Sequence, residues 1–153
     1  MMLLESRAGK VTNTKKIENL LFAAWAISLI ATLGSLYFSE ILLFIPCELC
    51  WYQRILMYPL VIILGVAAVK KDGNIPLYAL PFTILGIIVS SYHYLIQKVP
   101  FFAENSIECG VVPCTGQYIN WLGFITIPFL AFIGFICITV LLFFIKKIAK
   151  EGK

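Results

Sequence analysis

Charge is what this sequence has least of. Asp, Glu, Lys and Arg together make up 13% of its 153 residues, where an ordinary soluble domain carries roughly 25%. The mean hydropathy is +0.94. With 61% hydrophobic residues, a soluble chain of this size could not hide its apolar surface, so the bilayer must be its solvent. Also missing are an internal repeat, a low-complexity tract and a domain linker, and the length allows a single membrane domain over residues 1–153. Lys and Arg outnumber Asp and Glu by 12 to 8, but the basic residues sit beside the apolar runs. That pattern orients membrane helices and argues against nucleic acid as a partner. Histidine is reduced to one residue, His93.

Charge-free stretches mark the spans. Glu18 and Glu40 bracket 21 uncharged residues, and about 20 residues at 1.5 Å each cross a hydrocarbon core of ~30 Å. The first span is placed at residues 19–38. Its basic start is that of a signal peptide, but the apolar stretch exceeds the usual ~7 to 15 residues and no A-x-A cleavage site follows, so it is expected to stay as a membrane helix. The second span, 49–69, contains one charge, Arg54, near its start. Asp72 and Lys98 bracket 25 residues with no Asp, Glu, Lys or Arg, which gives a third span at 75–97, and "WLGFITIPFLAFIGFICITVLLFFI" makes the fourth at 121–145. The expected fold is an all-α integral membrane protein, an antiparallel four-helix transmembrane bundle. Pro59 and Pro128 fall inside spans two and four, where each removes a backbone donor and can kink the helix.

Lys and Arg set the orientation. Arg7, Lys10, Lys15, Lys16, Lys70, Lys71, Lys146, Lys147, Lys150 and Lys153 all fall on one side of the bundle, against Lys98 and the interfacial Arg54 on the other. Ten against two predicts that both termini are cytoplasmic and that the loops at 39–50 and 98–120 face outward.

Four of the five cysteines fall in those outer loops: Cys47 and Cys50 at the entrance to span two, Cys109 and Cys114 in "ECGVVPCTG". Outside the cytoplasm is where disulfides form and persist. Two structural disulfides would account for this, and Gly110, Pro113 and Gly116 give the second loop its turns. A bond across a two-residue gap, however, closes so small a ring that it removes little unfolded-state entropy, which favours a labile, redox-active pair at Cys47 and Cys50. Cys50 is placed in the first helical turn, where the helix dipole and unpaired N–H groups stabilise a thiolate, and Arg54 lies at i+4 on the same face. A lone intramembrane arginine seeks a partner polar at its tip and apolar in its body, a description that fits a quinone. Four thiolates around zinc would leave a net −2 beside a low-dielectric membrane, so no metal is expected. His93, between Tyr92 and Tyr94, reads as an aromatic-belt residue level with Cys50 and Arg54. Cys137, 16 residues past Trp121 and so about 24 Å deep, reads as a buried small hydrophobe.

These residues together resemble the DsbB family, the disulfide bond formation proteins. The features that carry the resemblance are four spans, Cys-x2-Cys opening the second with Arg four residues on, and a second cysteine pair before the fourth. The C-x4-C spacing of Cys109 and Cys114 is similar to the compact Gram-positive branch, often called BdbC, and the likeness runs over residues 15–147. The resemblance implies a thiol:quinone oxidoreductase in a bacterial plasma membrane. A thioredoxin-fold, DsbA-like (BdbD-like) thiol oxidase outside the membrane would reduce Cys109/Cys114, exchange would pass the electrons to Cys47/Cys50, and Cys50 would donate them to a quinone held beside Arg54. His93 is placed near the quinone by the same analogy. Menaquinone is the acceptor expected of a Gram-positive source, with ubiquinone the alternative. Two other readings are a membrane adaptor with static disulfides and a quinone reductase resembling vitamin K epoxide reductase, whose active pair sits later in the chain.

Overall fold

The computed structural model describes residues 2–74, 76–101, 112–116, 119–120 and 122–151, with side chains from residue 13 onward. Ile75, Cys109, Gly110, Trp121 and Lys153 lie outside the described residues, as do the side chains of Arg7 and Lys10. Among the described residues there are four long helices: α1, Met2–Leu36; α2, Glu48–Lys70; α3, Pro76–Lys98; and α4, Ile127–Glu151. Each is long and apolar enough to cross a membrane, α1 over Asn13–Ile41 together with the π-helical turn Tyr37–Ile41 that extends it.

Helices α2 and α3 begin and end within a residue of the spans expected at 49–69 and 75–97. The fourth does not: α4 starts at Ile127, not at 121, and runs on to Glu151. Two causes combine. Leu122 and Gly123 take left-handed φ values of 54° and 79°, and the Lys98 ammonium, at the end of α3, donates to the Gly123 carbonyl at 2.7 Å and to Asn120 Oδ1 at 3.2 Å. The apolar segment before Ile127 is therefore tied down as a turn. Pro128 becomes the second residue of α4, where its missing N–H would have had no partner anyway. Its expected kink is thus replaced by a helix start. Pro59 does lie inside α2 and Pro81 inside α3.

Around the bundle α1 packs against α2 and α4, and α3 against the same two, while α2 and α4 lie across the diagonal. Leu21, Leu60, Leu64, Phe135, Ile138 and Leu142 form the middle of the core, and Ile30, Ile62, Val69 and Leu77 point outward to lipid. Because lipid is as apolar as leucine, association depends on close packing and small residues at the contacts. Ala24, Ser28, Ala67, Ala79, Thr83 and Ser90 are all buried there. Gly86 is the tightest case. A Cβ at this position would run into the ring of Phe135, which is fully buried. Gly86→Ala is expected to destabilise the α3–α4 contact by about 1–3 kcal/mol through overpacking, lowering the melting temperature in detergent, and Phe135→Leu in the same chain should restore part of the loss.

Candidate functional site: a dithiol between two cavities

The end of α1 shapes the site. Its last turn widens into the π-helical segment, with the Leu42 amide bonded to the Tyr37 carbonyl. The chain then turns through Leu43, at a positive φ of 55°, and Pro46 to reach Cys47. Cys47 is the N-cap of α2: its backbone is extended and its carbonyl accepts from the Trp51 amide at 3.1 Å. Its thiol makes no cap bond and instead faces Cys50, in the first turn, with the two sulfurs 3.3 Å apart. Local helix geometry thus produces the pairing that the spacing predicted. Donation to the Cys50 sulfur, followed by burial, pushes the Cys47 thiol up to about 12, so Cys47 holds the proton of the pair.

His93 comes to this pair from α3. It is 1% exposed, which corrects its reading as an interfacial belt residue. Tyr92 is the exposed neighbour, and Tyr94 packs on Phe129. The His93 Nε2 atom lies 3.7 Å from Cys47 Sγ and 3.2 Å from the Cys114 carbonyl oxygen, and its Nδ1 lies 3.1 Å from the Gln53 amide nitrogen. With Gln53 donating to Nδ1, Nε2 carries the hydrogen and donates to the Cys114 carbonyl. Gln97, one turn beyond His93, donates to the Cys114 and Gly116 carbonyls at 3.5 and 3.1 Å. Together these bonds hold the segment around Cys114, itself 4% exposed, against the end of α3. Cys109 lies outside the described residues.

Arg54 points the other way, toward α1. Its Nε donates to Ser35 Oγ at 2.9 Å, its Nη2 donates to the Ser35 carbonyl at 3.0 Å, and its guanidinium lies over the Trp51 ring at 5.4 Å. It borders a cavity of about 460 Å³ between α1, α2 and α4, whose walls are mostly apolar and include Phe38, Met57 and Leu130. Cys50 lines this cavity and Cys47 does not. A second, much smaller cavity of about 20 Å³ lies on the opposite side, lined by both cysteines, His93, Gln97 and Pro113. Cys50 therefore borders both spaces. Of the two, His93 borders the small cavity and Arg54 the large one.

Cys137 also differs from its reading. With α4 beginning at Ile127 it is ten residues in, or about 15 Å deep, and it is exposed along the wall of the large cavity. Gln53, Gln97 and Ser35 were not singled out from the sequence. Gln53 had a signal available: it is an amide three residues past Cys50, inside a membrane span and hence on the face of the thiol.

Four membrane-length helices with a Cys-x2-Cys pair at the N-terminus of the second define a multi-pass membrane dithiol protein. The chain belongs to the DsbB family: residues 17–145 match the model of "Disulfide bond formation protein DsbB". It is 62% identical over 133 residues to "Probable disulfide formation protein C 1" of Bacillus anthracis, covering 87% of this chain and 96% of that one. It is 60% identical over 126 residues to "Disulfide bond formation protein C" of Bacillus subtilis (strain 168), covering 82% and 91%. To "Probable disulfide formation protein C" of Halalkalibacterium halodurans the identity is 58% over 127 residues, covering 83% and 93%. These relatives place it with the BdbC-like members. No solved structure matches the chain.

Proposed function

We propose that this protein is a thiol:quinone oxidoreductase that reoxidises a DsbA-like, thioredoxin-fold thiol oxidase on the outer side of the membrane. Family membership carries the coarser part, a role in disulfide bond formation and hence disulfide oxidoreductase activity. The observation that supports the finer part is the position of Cys50 between the two cavities. One holds the Cys47 and His93 side chains near the Cys114 segment, and the other is an apolar groove with a fixed cation at its edge. The ten-to-two division of Lys and Arg supports cytoplasmic termini, with the cysteine loops outside.

The donor set of the groove fits a quinone head group: apolar walls for the ring, and Arg54, Ser35 and Ser39 as polar groups for its oxygens. When bound, a quinone supplies a two-electron, two-proton acceptor. The remaining chemistry belongs to the chain. The partner's dithiol reduces the Cys109–Cys114 disulfide, leaving two thiols. Cys114, held by His93 and Gln97, attacks the Cys47 sulfur of the Cys47–Cys50 disulfide, so that a Cys114–Cys47 bond forms and Cys50 leaves as a thiolate. Cys109 then attacks Cys114, which reforms the loop disulfide and releases Cys47 as a thiolate, and the His93 Nε2–H faces that sulfur as a donor. Arg54 steadies negative charge on the groove side. Reclosing Cys47–Cys50 releases two electrons toward the groove.

Anaerobic quinone reduction by the purified protein, fed by a reduced thioredoxin-fold partner, tests this reading. Quinol formation is expected. None from a partner shown to be competent would replace the relay with a static-disulfide adaptor. In the same assay Cys137→Ala should turn over normally, whereas Cys137→Trp should fill the groove and raise the apparent quinone KM.

A further inference from the structure

The dithiol and the buried histidine form a constellation that electron transfer alone does not require. The Cys47 and Cys50 sulfurs are 3.3 Å apart, Cys47 Sγ is 3.7 Å from His93 Nε2, and all three ligand atoms lie within 4.8 Å of one another. Around tetrahedral zinc, with Zn–S of about 2.3 Å and Zn–N of about 2.05 Å, two thiolates stand about 3.8 Å apart and a thiolate and an imidazole nitrogen about 3.6 Å. The Cys47–Cys50 spacing would open by about half an ångström, the Cys47–His93 spacing already matches to about a tenth, and Cys50 Sγ and the His93 ring nitrogen, within 4.8 Å of each other, would draw together to reach that geometry. We propose that the dithiol form of this centre binds a soft divalent cation of the zinc class through Cys47 Sγ, Cys50 Sγ and His93 Nε2, and that occupancy halts turnover.

Three further features support the site. The small cavity of about 20 Å³, lined by these three residues and Gln97, has room for one water as the fourth ligand. Charge also balances. Two thiolates and a neutral imidazole around a divalent cation sum to zero, whereas the four-cysteine site weighed from the sequence would carry −2 in a low-dielectric setting. Finally, Gln53 supplies an outer partner for the ring. A half-turn of its amide presents the carbonyl oxygen to Nδ1–H, which leaves Nε2 to the metal in exchange for its contact with the Cys114 carbonyl.

Binding exchanges two thiol protons for the cation and moves no electrons. A Cys47–Cys50 disulfide offers no thiolate, so the cation selects the electron-loaded form and holds it. The block on turnover rests on the thiol:quinone reading, but the binding does not.

The test uses the full chain in detergent, reduced and desalted under anaerobic conditions, then titrated with cobalt(II) and competed with zinc(II). One cobalt per chain is expected, with thiolate-to-metal charge-transfer absorption and tetrahedral d–d bands that zinc bleaches. The disulfide form should give no bands. A Cys109→Ser/Cys114→Ser chain should keep them, and Gln53→Ala should weaken affinity about 10- to 100-fold through the outer shell. Absence of a cobalt–thiolate band in the reduced chain would overturn the site. So would bands that vanish in the Cys109→Ser/Cys114→Ser chain and survive His93→Gln, because the ligands would then be four cysteines. Stoichiometric zinc that binds without slowing quinol formation would remove the block. A metal-free chain that forms no quinol would sink the relay and leave the metal site standing.

Discussion

A Cys50→Ser chain is expected to form no quinol above the uncatalysed background, the largest loss any single substitution in this protein should produce. A hydroxyl cannot form the bond to Cys47, and it is not a thiolate at neutral pH. Position makes the loss complete, since Cys50, among the described cysteines, borders both the apolar groove and the cavity on the His93 side. The failure should also have a direction. Cys47 remains beside His93 in this variant, so its thiol can attack the Cys109–Cys114 disulfide, forming a Cys47–Cys114 bond and releasing Cys109 as a thiol, but no Cys50 is present to resolve that bond and no electrons can leave. A trapped Cys47–Cys114 link is therefore expected, readable by mass spectrometry after non-reducing digestion. Cys47→Ser should be equally inactive without that link. Quinol formation by Cys50→Ser at the rate of the unaltered chain would withdraw the relay.

Arg54→Met should raise the apparent quinone KM by about 10- to 150-fold, which corresponds to the loss of one charge-assisted hydrogen bond of about 1.5–3 kcal/mol. Two of the five guanidinium N–H donors are spent on the Ser35 hydroxyl and carbonyl. These anchor the group, with Trp51 beneath it, and leave donors over for the groove. Methionine keeps the volume of the stem and removes the charge. In the proposed relay, thiol exchange between the partner and the loop cysteines does not involve the groove and should proceed unchanged, so the effect is expected to be confined to the quinone half-reaction. Arg54→Lys keeps the charge without the fork and should fall between the two. An unchanged KM in Arg54→Met would remove the assigned role.

The positions at which the sequence reading succeeded and failed follow a physical pattern. Spans two and three were legible because their ends coincide with charged residues, and a charge is expensive in the bilayer whatever the neighbours do. The start of the fourth helix was not legible. The segment before Ile127 is as apolar as the helix proper, and what bends it is a lysine from α3 that donates to the Gly123 carbonyl. Cys137 was misread for the same reason, since its depth was counted from Trp121 and the helix starts at Ile127, and hydropathy does not say which face a cysteine takes. His93 was expected near Arg54, and it borders the small cavity with both cysteines while Arg54 borders the large one. The level of His93 follows from its distance along α3, its neighbours from the packing of α3 against α2.

What the sequence by itself determined is therefore whatever a single helix or the bilayer can enforce. This covers the membrane class, the existence of four spans, the closeness of Cys47 and Cys50 across one helical turn, and the place of Arg54 one turn further on. Only the tertiary structure decided what lies across the interhelical contacts: His93 on Cys47 from 46 residues away, Arg54 on Ser35 from 19 residues away, and the groove between α1, α2 and α4. Residues within one turn are neighbours by backbone geometry alone. Residues on different helices meet only when small side chains such as Gly86 and Ala24 let those helices close on one another, and that depends on the whole bundle at once.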